Sequence, residues 1–248
     1  MAIRHLHTLI LTGLYLASPW AAEHVRAEDN YEKERQAMVL AIETDVRETV
    51  SYLEKDALNP LVLTAMGKVP RHEFVSPTAR IYAYANHPLP IGYGQTISQP
   101  YIVAVMTDLL KVDQNDHVLE VGTGSGYQAA ILATLADQVY SVEIIEPLAK
   151  QAAARLKKLG YDNVQIKVGD GYYGWQEHAP FDAIIVTAAA SYVPPLLIQQ
   201  LKPGGRIVIP VGSLFMVQQL VVVEKKLNNQ LTTRQVMPVR FVPLTGGH

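Results

Sequence analysis

The feature that most constrains the fold is a short apolar segment that runs directly into a glycine-rich turn. Its sequence is Val118-Leu119-Glu120-Val121-Gly122-Thr123-Gly124-Ser125-Gly126-Tyr127, and an apolar helical pattern follows from Ala129 to Ala133. A strand, a glycine turn and a helix in this order make the nucleotide site of an open α/β sheet. Glycine lets the backbone approach a ligand closely, and the helix N-terminus offers unpaired N–H groups. The segment therefore predicts a nucleotide-binding α/β fold.

The spacing of the glycines distinguishes between two kinds of nucleotide. A dinucleotide fingerprint has the pattern Gly-x-Gly-x-x-Gly, but here the third glycine comes one residue early, at Gly126, and Tyr127 occupies the expected position. The acidic Glu120, just before Val121-Gly122, is a second difference. Both differences favour S-adenosylmethionine over NAD, and an NAD-dependent oxidoreductase is the weaker alternative.

Strand-like and helix-like segments alternate through the second half of the chain. The predicted strands are His117–Val121, Gln138–Glu143, Val164–Val168, Phe181–Val186 and Arg206–Val211. The predicted helices are Ile102–Leu110, Pro147–Leu159 and about Pro195–Leu201, with a turn over residues 202–205. This alternation indicates a doubly wound, Rossmann-like parallel sheet with right-handed crossovers. Two further strands, Gln219–Glu224 and Val236–Phe241, have no helix between them, so the sheet should end in an antiparallel pair.

The N-terminal part is predicted to be helical and then irregular. From Asp29 to about Ala57 a charged segment carries an apolar stripe of helical period, formed by Met38, Ile42, Val46, Val50 and Leu53. Asn59-Pro60 should end this helix. A short helix over Val62–Met66 follows, and then an irregular stretch from Val69 to Pro100.

The first two dozen residues have the layout of a secretory signal peptide. Arg4 and His5 precede the apolar segment from Leu9 to Ala17, and small residues follow, with cleavage expected near Ala22 or Ala27. The apolar segment is too short for a comfortable membrane span. We therefore expect export to the periplasm; a buried N-terminal helix and an uncleaved anchor are the alternatives.

Composition excludes several kinds of site. The chain of 248 residues has no cysteine, which excludes disulfides, thiolate catalysis and thiolate metal sites. The formal net charge of −2 shows no excess of the positive charge that binds nucleic acid, so DNA and RNA are disfavoured as partners.

Two carboxylates follow strands of the predicted sheet. Glu143 ends the second strand and can accept hydrogen bonds from both ribose hydroxyls of an adenosine; an exposed loop carboxylate is the alternative. Asp170, in Gly169-Asp170-Gly171, ends the third strand and can accept from the adenine amino group. A plain Asp-Gly turn competes with that interpretation.

Two other segments are candidates for the substrate side. The stretch from Leu89 to Tyr101 is apolar but broken by glycine and proline, so we expect neither helix nor strand, and its place before a helix can put it over the cofactor. Ser98 within it can cap that helix or direct its hydroxyl into the cleft. The small residues Thr187-Ala188-Ala189-Ala190 either leave room for substrate or serve close packing.

Five blocks in order carry a resemblance to a known family. They are Pro-Leu-Pro-Ile-Gly-x-Gly-Gln-Thr-Ile-Ser-Gln-Pro-Tyr, Gly-Thr-Gly-Ser-Gly-Tyr-Gln-Ala-Ala, Gly-Asp-Gly, Pro-Phe-Asp-Ala-Ile-Ile-Val-Thr-Ala-Ala and Arg-Phe-Val-Pro-Leu. From Val69 to Leu244 the chain resembles the protein-L-isoaspartate O-methyltransferases. The first block is found almost only in that family. The glycine block alone is a weak signal, whereas the five together are specific.

The resemblance implies an activity, a co-substrate and a set of site residues. It implies methyl transfer from S-adenosylmethionine to the free carboxylate of L-isoaspartyl residues in damaged proteins and peptides, which starts their repair through a succinimide. Ser98 matches the family's active-site serine. The matched cofactor contacts are Gly122, Gly124, Gly126, Glu143, Asp170 and Gly171. Ile97, Thr187 and Thr245 fall where the family lines the substrate and cofactor cleft.

Several further expectations follow from the sequence and from its comparison with the family. Asn86-His87 stands where many members have an acidic residue, so a substrate-side contact is expected to differ. We expect a signal peptide over 1–27, a helical extension over 28–80, a methyltransferase domain over 81–248, no metal, and a monomer. The family is mainly cytosolic, which contrasts with the expected export. A methyltransferase for another carboxylate acceptor and a non-catalytic exported binding module are the alternatives.

Overall fold

The fold is an α/β sandwich with an N-terminal helical layer. A computed structural model describes residues 19–213 and 216–247, with side chains from residue 31 onward. Its helices are α1 (Pro19–Glu48), α2 (Val50–Leu53), α3 (Pro60–Lys68), α4 (Pro100–Leu110), α5 (Tyr127–Ala133), α6 (Glu146–Lys158) and α7 (Pro195–Gln199). Its strands are β1 (Leu89–Gly92), β2 (Gln95–Ile97), β3 (His117–Val121), β4 (Gln138–Glu143), β5 (Val164–Val168), β6 (Phe181–Val186), β7 (Leu201–Val211), β8 (Gln218–Lys225) and β9 (Leu231–Val239).

The central sheet has seven strands in the order β5-β4-β3-β6-β7-β8-β9. Strands β5 to β7 are parallel, whereas β8 is antiparallel to β7 and β9 is antiparallel to β8. The doubly wound fold with an antiparallel C-terminal pair is therefore confirmed. The chain order reverses between β3 and β6, and ligands of such sheets bind outside the carboxyl ends of the strands at that point.

Alternation along the parallel strands separates two apolar layers. Val118 and Ile185 face one layer, which also holds the buried residues of α1, α3, α4 and α5. Leu119 and Ile184, one residue away, face the other layer. Successive side chains of a strand point to opposite faces, so strands this apolar must be covered on both sides. Packing between these two layers holds β3 and β6 in place, and with them the carboxyl ends of both strands.

The N-terminal helix differs from its prediction in extent. Residues 19–27 of the expected signal peptide lie in α1, whereas residues 1–18 lie outside the described residues. The helix breaks at Thr49, so Val50 of the predicted stripe is 38% exposed, while Met38, Ile42 and Val46 are buried. The stripe prediction is wrong for Val50, which directly follows the break at Thr49.

The segment from Leu89 to Tyr101 forms a hairpin, which corrects the expectation of no strand. Strands β1 and β2 pair antiparallel as a separate sheet, joined by Tyr93 and Gly94 with φ of 53° and 72°. Two positive φ values in a two-residue loop match the twist of paired strands. Likewise, β7 begins at Leu201 rather than Arg206. The predicted turn over residues 202–205 belongs to the strand, and the pairing of β7 with β6 shifts register there.

No helix in the described part of the chain is long and apolar enough to span a membrane. The division at residue 80 stays a prediction.

Candidate functional site

The glycine turn lies at the carboxyl end of β3 and contacts the end of β6. Gly122, Gly124 and Gly126 have φ of 97°, 53° and 88°, which non-glycine residues rarely adopt. The Thr187 hydroxyl donates to the Gly122 carbonyl at 2.7 Å, and a Cβ on Gly122 would lie 2.5 Å from that hydroxyl oxygen. Only glycine fits at position 122, and Thr187 fixes the turn to β6.

Glu143 is held rigidly beside the turn. Its Oε2 accepts from the Gly124 N–H at 2.8 Å and its Oε1 accepts from the Ile145 N–H at 2.9 Å. The residue is 6% exposed, so it is not an exposed loop carboxylate. Each carboxylate oxygen can accept more than one hydrogen bond, and a pair of ribose hydroxyls therefore fits this group.

Asp170 uses both oxygens within the protein. Oδ1 accepts from the Tyr172 N–H at 2.9 Å, which is the local turn interaction anticipated as the competing interpretation. Oδ2 accepts from the Gly247 N–H at 3.0 Å, so the C-terminal segment lies over this carboxylate. The adenine role stays a prediction. Gly171 is packed so tightly that an added Cβ would collide with the side chain of Val121.

The C-terminal segment brings Thr245 to the same place. The Ala189 N–H donates to the Val242 carbonyl and the Leu244 N–H donates to the Ala189 carbonyl, both at 2.8 Å. Ala189 is completely buried, so it serves close packing with this segment, whereas its neighbour Ala188 lines a cavity. Thr245 thereby lines one cavity together with Gly122, Gly124, Glu143, Gly171 and Thr187.

We call this cavity the cofactor cavity, because most of the residues expected to contact the cofactor line it. Two further cavities adjoin it. A small one is lined by Ile97, Ser98, Thr123, Tyr127 and their neighbours. A groove of about 680 Å³ is lined by the C-terminal part of α1, by Ser98 and Tyr101, and by residues 237–242. Thr96 and Thr187 line all three cavities. Gly126 lines none of them; it lies against Leu156 of α6 and allows that helix to approach the turn.

Ser98 does not cap α4. The N-cap residue is Gln99, and no side-chain hydrogen bond caps the helix. Among the residues that the structure describes, the Ser98 hydroxyl has no hydrogen-bond partner, and Ser98 lines both the groove and the small cavity. Of the two interpretations open from the sequence, the cleft-facing one fits this geometry.

The expected departure at Asn86 has a structural counterpart. The Asn86 amide donates to Asp45 Oδ2 at 2.6 Å, and its carbonyl oxygen accepts from the Tyr101 N–H at 3.0 Å. A carboxylate at this wall of the groove is therefore supplied by α1, which also contributes Glu48, and Thr49 follows directly after the helix. The sequence reasoning missed these three residues because no motif marks them. It also missed Thr96, although Thr96 lies inside the most specific block.

Glu120 lies beneath the turn and is completely buried. Its Oε2 accepts from the Ser141 hydroxyl, whereas Oε1 has no partner among the described residues. Burial raises the pKa of Glu120 to about 8; the Ser141 hydrogen bond opposes this effect and the charge of Glu143 adds to it. The carboxyl group is thus largely protonated at neutral pH and adds little negative charge to the site.

Within residues 19–213 and 216–247, no group of three or more His, Cys, Asp and Glu side chains could hold a metal ion.

The chain is similar to known proteins along nearly its whole length. A sequence profile of the family described as protein-L-isoaspartate(D-aspartate) O-methyltransferase (PCMT) matches residues 45–248. A protein-L-isoaspartate O-methyltransferase 2 of Syntrophobacter fumaroxidans is 64% identical over 222 residues, covering 90% of each chain. A protein-L-isoaspartate O-methyltransferase 1 of Cupriavidus necator is 55% identical, covering 100% of this chain and 95% of that one.

Solved structures give the same result for the fold. A protein-L-isoaspartate O-methyltransferase aligns with a TM-score of 0.73 and 29% identity, over 86% of this chain and 66% of that chain. A Plasmodium falciparum protein described as a putative member, solved with S-adenosyl-L-homocysteine, aligns with a TM-score of 0.68 and 24% identity, over 83% of this chain and 97% of that one.

Proposed function

Because the chain belongs to the protein-L-isoaspartate(D-aspartate) O-methyltransferase family, we propose that it methylates the free carboxylate of L-isoaspartyl residues, with S-adenosylmethionine as methyl donor. The ester formed is a better electrophile than the acid. Attack by the next backbone nitrogen releases methanol and gives a succinimide, which water opens partly to normal aspartate. The enzyme therefore has to catalyse only the first step of repair.

One observation carries the proposal: the cofactor cavity and the peptide-sized groove meet at shared walls. Glu143, Thr245 and the glycine turn line the first, and the groove of about 680 Å³ contains Ser98. Thr96 and Thr187 belong to both. A methyl acceptor in the groove can thus come into contact with a methyl donor bound at the turn.

The groove needs no general base. An isoaspartyl carboxylate has an ordinary pKa near 4 and is ionised at neutral pH, so its oxygen can attack directly. S-adenosylmethionine supplies a sulfonium-bound methyl group. As the carboxylate oxygen bonds to the methyl carbon, the carbon–sulfur bond breaks and its electron pair stays on sulfur. The residues that line the groove contribute to catalysis by aligning the reactants and by excluding water, since no proton has to be transferred.

We assign Ser98 the role of orienting the acceptor. Its hydroxyl has no partner among the described residues and can donate to the isoaspartyl carboxylate. Ser98→Ala should lower kcat/KM for an isoaspartyl peptide by about tenfold or more, the value of one hydrogen bond to a charged group. Ser51→Ala, at an exposed serine of α2, is the matched control. Unchanged methylation by Ser98→Ala contradicts the role.

We propose that the hairpin reads the direction of the substrate backbone. Strand β2 pairs with β1 on one edge only, and Thr96 lies on it beside the groove. An extended peptide can add to such an edge through main-chain hydrogen bonds. Isoaspartyl peptides N-methylated at amides flanking the damaged residue should then be poorer substrates. Equal kcat/KM for methylated and unmodified peptides contradicts the pairing.

We also propose that the protein acts as a monomer, as expected from the sequence. Light scattering at the assay concentration tests this directly; an activity that rises with dimer content opposes it.

We propose export on the strength of the N-terminal sequence pattern, the basic start and the apolar segment from Leu9 to Ala17. Fractionation of cells that express the full chain, with N-terminal sequencing of the product, tests it. An uncleaved product in the cytosol opposes export and fits the ready supply of S-adenosylmethionine there.

A further inference from the structure

Arg71 is a fully buried arginine that contacts three other segments of the chain, one of which lines the groove. It begins a 3₁₀ turn over Arg71–Phe74 and is 0% exposed. Its Nε donates to the Ala83 carbonyl at 2.8 Å, and its Nη2 donates to the Ser98 carbonyl at 2.7 Å. The guanidinium carbon lies 4.8 Å from the ring centroid of Tyr127, the first residue of α5 after the glycine turn.

The charge of Arg71 has no acidic partner within the described residues. No ion pair involves it there, and its Nη1 has no hydrogen-bond partner in the same part of the chain. Burial lowers the pKa of Arg71 to about 10, while Tyr127 and Tyr84 partly oppose this, so the group remains a cation at neutral pH. A buried unpaired cation is costly, and an apolar side chain of similar size would serve packing better.

We propose that Arg71 is a positioning residue for the methyl acceptor: it fixes and polarises the Ser98–Gln99 peptide group, so that the Gln99 N–H and the Ser98 hydroxyl together bind the isoaspartyl carboxylate. This inference rests on the proposed function and assigns the carboxylate-binding donors of the same groove.

The polarity of one peptide group links Arg71 to the groove. The Ser98 carbonyl and the Gln99 N–H belong to the same trans peptide, so they point in opposite directions. The carbonyl points at the buried guanidinium, and the N–H therefore points away from it. Both Ser98 and Gln99 line the groove, and the Gln99 N–H has no partner among the described residues. A cationic donor on the carbonyl strengthens that N–H as a donor.

A second arginine makes the equivalent contact on the cofactor side. Arg155 of α6 donates through Nη1 to the Ser125 carbonyl of the glycine turn at 2.7 Å. The two arginines thus hold two different loops by the same kind of bond. Arg206 provides a control remote from both loops, since it pairs with Glu224 and donates to the Leu109 carbonyl at 3.3 Å.

The test compares Arg71→Lys, Arg71→Met, Arg155→Met and Arg206→Met in the full chain. For each protein, kcat and KM are measured with an isoaspartyl peptide, the Kd for S-adenosylhomocysteine by calorimetry, and the thermal midpoint. Arg71→Met should lower kcat/KM for the peptide by about 100-fold and Arg71→Lys by about tenfold, since an ammonium can still donate to one carbonyl. The Kd for S-adenosylhomocysteine should change by less than about threefold in both.

The controls should separate the two arginine contacts. Arg155→Met should instead weaken S-adenosylhomocysteine binding, and Arg206→Met should lower the thermal midpoint without changing kcat/KM. If Arg71→Met loses peptide activity and S-adenosylhomocysteine affinity in equal proportion, or behaves like Arg206→Met, the proposal is wrong. If the wild-type protein methylates no isoaspartyl peptide, the proposed function fails and this inference fails with it.

A measurement without any variant covers the case in which Arg71→Met does not fold. In wild-type protein saturated with S-adenosylhomocysteine, addition of the isoaspartyl peptide should move the Gln99 amide proton downfield as it binds a carboxylate. The matched aspartyl peptide should leave that resonance in place. An unmoved Gln99 amide in the presence of bound isoaspartyl peptide overturns the proposal even if turnover is normal.

Discussion

Replacing Glu120 by glutamine should remove a specific part of the pH dependence of stability. The carboxyl group is completely buried beneath the glycine turn, and burial raises its pKa from 4.5 to about 8. The folded protein therefore keeps a proton that the unfolded chain has released over this interval. Since stability falls with pH wherever the folded state binds more protons, the free energy of unfolding should decrease between about pH 4.5 and pH 8.

The expected magnitude follows from the size of the pKa change. A rise from 4.5 to about 8 corresponds to about 5 kcal/mol at most, accumulated by pH 8 and above. Glutamine has the shape of the protonated acid and can still accept from the Ser141 hydroxyl, but it cannot ionise. Glu120→Gln should thus differ little from wild type at low pH and be the more stable protein at high pH.

The assay is urea unfolding of both proteins at a series of pH values from about 5 to 9. Subtracting one free energy of unfolding from the other cancels the titrating groups that the two proteins share. Glu32→Gln, at an exposed position of α1, controls for the loss of one negative charge. A difference between Glu120→Gln and wild type that stays constant with pH refutes the reasoning.

Three further changes test how the cofactor cavity is held. Gly122→Ala places a Cβ 2.5 Å from the Thr187 hydroxyl at a φ of 97°, so calorimetry should show at least tenfold weaker S-adenosylhomocysteine binding. Affinity near that of wild type refutes this. Glu143→Gln disrupts the hydrogen bonds from Gly124 and Ile145, and the same Kd should rise about tenfold to 100-fold, with unchanged binding as the contrary result. Thr187→Val removes the bond to Gly122 and should cost about 1 kcal/mol of unfolding free energy, measured in urea; no loss contradicts the contact.

The sheet could be predicted because its signals are local. Strands β3, β4, β5 and β6 have the bounds that their apolar runs indicate, and the antiparallel end follows from two strands with no helix between them. The β1–β2 hairpin was missed because its turn uses Tyr93 with a positive φ, and a sequence of Gly-Tyr-Gly looks irregular unless the paired strands are already known.

The site could be predicted where a local pattern marks the residue. Glu143 follows from its place after a strand, and its contact with Gly124 agrees with that expectation. Gly126 has the motif spacing but packs against α6. A glycine pattern alone does not show which glycine contacts the ligand and which allows close packing. Arg71 and Asp45 reach the groove through contacts with residues 27 and 41 positions away in the chain, and nothing local marks such partners.

The most direct test of the account is methyl transfer from labelled S-adenosylmethionine by the full-length protein to a pair of peptides that differ only in isoaspartate against aspartate. The account predicts label in the isoaspartyl peptide alone. Label in both peptides would contradict the proposed reading of backbone direction, and label in neither, with S-adenosylmethionine still bound, would point to another methyl acceptor or to a binding role.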